Sequence, residues 1–387
     1  MRGELDLRIA KIREAMAEGD CDAVLIASTT NLFYISGTVF RGYVLILSDS
    51  DPVWFMVPPS VAPDGFPHCH TIHKPEMIPA WLHEAGYAVP RSIGLEFDDL
   101  LYSELMRLKS LFPESEIKNA SGVLRKARMT KTEYEIRKIR EDGMHQARAY
   151  SKVPKCYKEG MTDLELQIEV ERVLRLEGCL GYLRAAGSRM ELNLGSVISG
   201  DNADMPSPYD FSMGGAGVDP SLPVGADGKT IKPGCSVMLD MNGGFNGYQS
   251  DMTRTWYLES VSELARKAHE CSRRILRDLE KRALPGVPVS ELYIKAVEIA
   301  QADGLGDYFM GHRNKVKFIG HGIGIELNEQ PVVMERNRQP LLKNMTIALE
   351  PKFVIPHVGA VGVENTYCVT DNGLDNLTEF PEELQEL

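Results

Sequence analysis

The sequence predicts an α+β chain of two domains, a small α/β domain over residues 1–125 and a larger domain over 126–387. Three observations predict it. Short apolar runs alternate with helix-spaced segments through the first part. Between Arg125 and Lys131 that alternation gives way to a long charged helix, from Thr132 to about Lys152. Beyond it the chain repeats itself: Gly160-Met-Thr-Asp-Leu-Glu-Leu-Gln-Ile168 returns as Gly286-Val-Pro-Val-Ser-Glu-Leu-Tyr-Ile294. Two copies are too few for a solenoid. They suit a domain folded about a pseudo-twofold axis, with a site between the halves.

The elements follow in order. Ile9, Ile12 and Met16 recur at helical spacing. Strand-like runs come at Ala23-Val-Leu-Ile26, Tyr43-Val-Leu-Ile-Leu47 and Val53-Trp-Phe-Met-Val57. Helical segments near 76–86 and 98–112 bracket a short strand near 92–95. In the repeat, Thr162 and Glu165 form a capping box, Pro288 stands near the start of the second copy, and each helix stops at a glycine, Gly178 and Gly304. A further capping box, Ser260 to Glu263, is expected to open the next helix.

Composition narrows the function. The chain is 43% apolar and 25% charged, like an ordinary soluble protein, and its length of 387 residues gives each domain a core. A formal charge of −12 without a Lys/Arg run argues against nucleic acid. No stretch approaches the roughly 18 apolar residues of a membrane span, and no secretory h-region opens the chain. The seven cysteines are scattered, odd in number and free of any Cys-x-x-Cys, which predicts reduced thiols and a cytoplasmic protein.

The chemistry concentrates in Leu239-Asp-Met-Asn-Gly-Gly-Phe-Asn-Gly-Tyr-Gln-Ser-Asp-Met-Thr-Arg-Thr255. Two strand-like runs flank a turn, and a hairpin would bring Asp240 and Asp251 to one point. Converging carboxylates repel unless a cation lies between them. Gly320-His-Gly-Ile-Gly324, Ala348-Leu-Glu-Pro351 and Gly362-Val-Glu-Asn365 then follow in order. Asp240, Asp251, His321, Glu350 and Glu364 thus form an oxygen-rich set with one nitrogen. Its four negative charges balance a pair of divalent ions, Mn²⁺ first, with Co²⁺, Zn²⁺ or Fe²⁺ as alternatives.

These ordered motifs resemble the metallopeptidases that include methionine aminopeptidase, aminopeptidase P and prolidase, with creatinase as a relative. Asn31-Leu-Phe-Tyr-Ile-Ser-Gly37 resembles the Asn-x-x-Tyr-x-x-Gly signature of their N-terminal domain. Arg125-Lys-Ala-Arg-Met-Thr-Lys-Thr-Glu-Tyr-Glu-Ile136 is similar to the family's lead-in to the catalytic domain. The resemblance implies a creatinase-type N-terminal domain, a pita-bread catalytic domain and a homodimer. It implies that Asp240 chelates one ion, that Asp251 and Glu364 bridge both, and that His321 and Glu350 hold the other. A water activated between the ions would be the nucleophile, with Glu350 shuttling its proton.

Departures from the family qualify the substrate. One expected histidine falls at or near Ser207, after Ser199-Gly-Asp-Asn202, and no histidine exists between His145 and His269. Another is replaced by Asn328, and an expected arginine by Gly362. Those histidines handle the substrate carbonyl in the family, and losing an oxyanion donor costs about 3–4 kcal/mol. Asn328 can donate a hydrogen bond without carrying a proton. His357, between Glu350 and Glu364, is a candidate proton carrier. Of the Gly/Pro-rich loop 206–229, Ser207, Tyr209 and Phe211 are expected to contact substrate. His68, His70 and His73 read as an exposed strand edge, and Tyr248 and Arg254 as sheet packing. The expected function is hydrolysis of small Xaa-Pro peptides or related amides. A metal-dependent hydrolase or lyase of a small non-peptide molecule and a non-catalytic binding paralogue are the alternatives.

Overall fold

The computed structural model describes residues 2–61, 66, 68–187, 193–209 and 213–387. Its chain divides into two compact units, Met1–Arg128 and Met129–Leu387.

In the first unit the elements run α1 Arg2–Glu18, β1 Ala23–Ile26, α2 Thr29–Ser36, β2 Gly42–Leu47, β3 Val53–Met56 and β4 Cys69–Thr71. They continue with α3 Met77–Glu84, β5 Ser92–Leu95, α4 Tyr102–Lys109, β6 Glu116–Asn119 and α5 Ser121–Met129. One sheet of mixed direction has the order β4-β3-β2-β1-β5-β6. The helix α2 carries no apolar period and was not foreseen; local hydrogen bonds make it. Ser28 caps it by accepting from the Asn31 N–H, and Gly37 closes it in the left-handed region. The Asn-x-x-Tyr-x-x-Gly signature is therefore structural here. Asn31 donates to Glu96 at 2.7 Å and accepts from Arg128 at 2.9 Å, while the Tyr34 hydroxyl donates to the Ala127 carbonyl at 3.0 Å. The three neighbouring histidines do not converge: His68 faces Asp51 at 3.6 Å and His70 stacks on Trp81.

The second unit begins with α6 Glu133–Tyr150, α7 Val153–Cys156 and α8 Asp163–Leu176. Then come β7 Gly195–Ser199, a 3-10 turn at Gly200–Asp204, β8 Ser236–Gly243, β9 Ser250–Tyr257, α9 Glu263–Arg282 and α10 Val289–Ala302. The remainder is strand: β10 Phe318–Gly322, β11 Glu329–Met334, β12 Thr346–Leu349, β13 Lys352–Ile355, β14 Gly359–Gly362, β15 Asn365–Thr370, β16 Gly373–Asn376 and β17 Gln385–Glu386. The repeated helices α8 and α10 have the same length, 14 residues, and each is followed by a left-handed glycine, Gly178 and Gly304. Thr162 and Glu165 form the expected box. The box expected from Ser260 to Glu263 does not form. Ser262 caps α9 instead, accepting from the Ala265 N–H, because the helix starts one residue after it.

Three sheets surround the chemistry: β17-β9-β8-β7, β11-β10-β12-β15-β16 and the β13-β14 pair. Helices α9 and α10 cover the second of these through Ile275, Leu279, Leu292 and Ala296, packed with Ile347, Leu349 and Val369 in one core. Helices α6 and α8 share a core with the first through Tyr150, Leu166, Val237, Leu239 and Trp256. Each such large side chain, fully buried, contributes about 1.5–3 kcal/mol. No helix among the described residues is long and apolar enough to cross a membrane.

Candidate metal centre

Strand periodicity places the first two carboxylates. In the β8–β9 hairpin Asp240 lies opposite Thr253 and Asn242 opposite Asp251. Successive side chains alternate between faces, so Asp240, Asn242, Asp251 and Thr253 share one face. The other face, with Leu239, Met241, Met252 and Trp256, goes into the core with α6 and α8. His321 comes from β10, between two glycines that the packing requires. A Cβ on Gly320 would lie 2.1 Å from the Ala348 carbonyl oxygen, and one on Gly322 2.1 Å from that of Gln330. Glu350 occupies the break between β12 and β13, and Glu364 the break between β14 and β15.

The structure thus brings the five expected residues together, in two overlapping groups. Ligand atoms of Asp251, His321 and Glu364 lie within 4.8 Å of one another, as do those of Asp240, Glu350 and Glu364. His321 Nε2 is 3.8 Å from Asp251 Oδ2 within the first group and 3.9 Å from Glu350 Oε1 of the second. Two atoms each about 2.1 Å from one ion lie roughly 3–4 Å apart, so these distances suit a shared ion. The Nδ1 side of His321 meets the Gly322 carbonyl at 3.0 Å, which leaves Nε2 free to ligate. Glu364 Oε2 accepts from Thr253 Oγ1 at 2.7 Å, whereas its Oε1 is buried without a hydrogen-bond partner among the described residues. An orphaned buried carboxylate oxygen beside Asp251 and His321 fits a divalent cation there.

The second group already contains a cation. Lys352 Nζ donates to Asp240 Oδ2 at 2.7 Å, Glu350 Oε2 at 2.7 Å and Glu364 Oε2 at 3.0 Å. Its side chain is 0% exposed. The sequence reading passed over this lysine. The signal was there, a lone charge opening the apolar run Phe353-Val-Ile355. Burial opposes the ammonium, but Asp240, Glu350 and Glu364 outweigh it and hold the Lys352 pKa well above the lysine range. Burial, then Glu364 and Asp240, push the Asp251 carboxyl well above its ordinary value. Burial also raises Glu364, to about 8, against the pull of Lys352.

Further from the cluster, the expectations fare differently. His357, read as a proton carrier, sits on the β13–β14 turn with its side chain 86% exposed, its ring facing Asp201. At about 3.3 Å per strand residue the turn is roughly 10 Å or more from Lys352. The tight hairpin points His357 outward, and it is not part of the cluster. Asn328, read as a catalytic donor, has its carboxamide engaged by one backbone unit. It accepts from the Ala186 N–H at 2.7 Å and donates to the Ala186 carbonyl at 3.2 Å. That is a positioning contact, not a free donor. Ser207 Oγ accepts from the Tyr209 N–H at 3.3 Å, so both residues belong to one tight turn of the loop. Phe211 lies outside the described residues. Asn202 pins this loop, donating to the Gly225 carbonyl at 3.0 Å and accepting from the Ala216 N–H at 2.8 Å. Tyr248 donates to Glu135 at 3.2 Å, and Arg254 binds the carbonyls of Thr253 and Glu364 at 2.8 Å each, joining β9 to the Glu364 strand break.

Two further polar residues escaped the sequence reading. Asn242 and Gln249 are 2% and 0% exposed, and neither side-chain amide has a hydrogen-bond partner among the described residues. Tyr182 lies beside Gln249 without reaching bonding geometry. Both stand at period-two positions with Asp240 and Asp251, so they extend the row of polar side chains towards the hairpin turn. Unpaired buried amides are rare, and here they offer donors and acceptors next to the metal group.

Comparison with known proteins agrees with this geometry. Residues 137–371 match the model of metallopeptidase family M24, and residues 8–130 that of the creatinase/prolidase N-terminal domain. The chain is 28% identical over 385 residues to an Xaa-Pro dipeptidase of Pyrococcus furiosus, covering 97% of this chain and 99% of that one. The crystal structure of the prolidase from Pyrococcus horikoshii OT3 superposes with a TM-score of 0.77 at 27% identity, over 97% and 99% of the two chains. An Xaa-Pro dipeptidase structure from Bacillus anthracis, at 24% identity and a TM-score of 0.83, covers 99% of this chain and 100% of its own, and supports the fold alone. The resemblance read from the ordered motifs is borne out, as is the α+β architecture of a creatinase-type domain and a pita-bread domain. With its five motif residues gathered at one point and the matching model spanning residues 137–371, the chain belongs to metallopeptidase family M24.

Proposed function

We propose that the chain is a metal-dependent hydrolase of small amides, with Xaa-Pro dipeptides the first substrates to test. The observation that carries this is the Asp251, His321 and Glu364 group with its orphaned Glu364 oxygen, in a chain collinear with Xaa-Pro dipeptidases. Asp251, His321 and Glu364 would hold the ion, with Glu350 beside them. A divalent ion there supplies Lewis-acid polarisation and activation of water. The oxygen-rich set favours Mn²⁺. Glu350, 3.9 Å from His321, would take and return a proton through a water at the reacting centre. Asn242 and Gln249 present the unpaired amides that would orient a polar substrate backbone.

Steady-state rates with Mn²⁺ on matched Xaa-Pro and Xaa-Ala dipeptides test the reading. Hydrolysis confined to Xaa-Pro supports it, and no cleavage of any dipeptide by metal-loaded protein overturns it. The turnover is expected to be low, because no histidine stands at Ser207 or Asn328, and an absent oxyanion donor lowers the rate by about 10²–10³-fold. A rate equal to that of histidine-bearing family members would refute that expectation. The same absence favours one second reading, a small non-peptide amide as the preferred substrate, and a metabolite screen with Mn²⁺ separates the two. We further propose a homodimer in a reducing, cytoplasmic setting. The seven cysteines are unpaired, and sedimentation at a monomer mass of 43.1 kDa would refute the dimer.

A further inference from the structure

We infer that Lys352 is a resident cation of the cluster, standing where a second divalent ion would bind, so that the centre takes one metal ion and not two. The inference rests on the metal-dependent reading above and changes its stoichiometry.

Position is the first argument. Asp240, Glu350 and Glu364 form one of the two groups able to hold an ion, and the same three residues accept from Lys352 Nζ at 2.7, 2.7 and 3.0 Å. An ion bound by those oxygens at about 2.0–2.2 Å would fall inside the volume of the ammonium. The two cannot share the place.

The second argument is confinement. Lys352 is wholly buried, and its position opposite Gly362 in the β13–β14 ladder fixes where its side chain starts. A Cβ on Gly362 would lie 2.9 Å from Lys352 Cα and 3.2 Å from its Cγ. The side chain missing at 362, where the resemblance leads one to expect arginine, leaves the backbone at Pro351–Lys352 and the Lys352 Cγ uncrowded.

Charge is the third. Asp240, Asp251, Glu350 and Glu364 carry four negative charges, and Lys352 returns one. A single divalent ion at Asp251, His321 and Glu364 brings the cluster within one charge of neutral. A second ion would add two positive charges in contact with an ammonium. The group left to the single ion is the one with an unsatisfied oxygen, Glu364 Oε1. An ammonium also differs from a metal in what it offers. It donates hydrogen bonds but has no coordination position to open, so Lys352 serves as a positioning residue for three carboxylates and not as a second Lewis acid.

Metal content tests this directly. Full-length protein is loaded with excess Mn²⁺, desalted and measured by elemental analysis, and its electron paramagnetic resonance spectrum is recorded at increasing Mn²⁺. Wild type is expected to retain about one ion per chain and to give the spectrum of an isolated Mn²⁺. Lys352→Ala, which empties the place of the ammonium, is expected to retain about two and to develop a spin-coupled pair. Two ions in wild type, or a coupled spectrum, would overturn the inference while leaving the metal-dependent reading intact. No ion in folded wild type would overturn both. A folded Lys352→Ala protein that stays at one ion also overturns it. If Lys352→Ala does not fold, the wild-type spectrum decides alone, an isolated ion supporting the inference and a coupled pair refuting it.

Discussion

Asp142→Asn should make the protein more stable at alkaline pH, by an amount the structure sets. Asp142 lies on α6, 0% exposed, behind the turn of the hairpin that presents Asp240 and Asp251. Burial pushes its carboxyl from 3.8 to about 8, and the Phe245 backbone N–H offsets this only in part. The folded state therefore keeps a proton that the unfolded chain releases near pH 4. Its stabilising contribution is complete below that value and is lost as pH rises to about 8. Three pH units between 5 and 8, at roughly 1.4 kcal/mol each, amount to about 4 kcal/mol. Asparagine keeps the shape and has no proton to lose. Melting followed by circular dichroism from pH 5 to 9, with both proteins loaded with the same metal, reads the difference. The variant should gain on wild type by about 4 kcal/mol across that range. Parallel profiles, within about 1 kcal/mol, would mean that Asp142 is not held protonated and that the buried carboxyl is solvated or paired.

Three substitutions test the site. Asp251→Ala should lose metal and activity together, since Asp251 supplies one of the three grouped ligand atoms; unchanged metal content would show the hairpin to be misassigned. Asn328→His should raise kcat on Xaa-Pro dipeptides by returning an absent donor, although it breaks both hydrogen bonds to Ala186; no gain would show that the histidine missing at this position does not limit turnover. His357→Ala should leave kcat within about twofold, because surface substitutions away from a site rarely matter; a tenfold loss would bring the outward turn back into the mechanism.

Much of this protein was determined by its sequence alone. Asp240, Asp251, His321, Glu350 and Glu364 lie in ordered motifs, and local rules suffice to point them. Strand alternation fixes which hairpin residues share a face, and Gly320 and Gly322 are needed wherever strands close on His321. The repeated helices α8 and α10 were legible because caps and glycine stops act within a few residues. Helix α2 was not, because hydrogen bonds among Ser28, Asn31 and the accepting Glu96 carboxylate stabilise it in place of an apolar stripe. Tertiary structure alone decided what fills the carboxylate cluster. Whether Lys352 turns outward or inward depends on its partner Gly362 across the ladder and on the breaks at Glu350 and Glu364, none of which a one-dimensional pattern encodes. It also decided that His357, seven residues from each of two expected ligands in sequence, points away. A hairpin separates in space what the chain keeps close, and three strand ends gather what the chain keeps far apart.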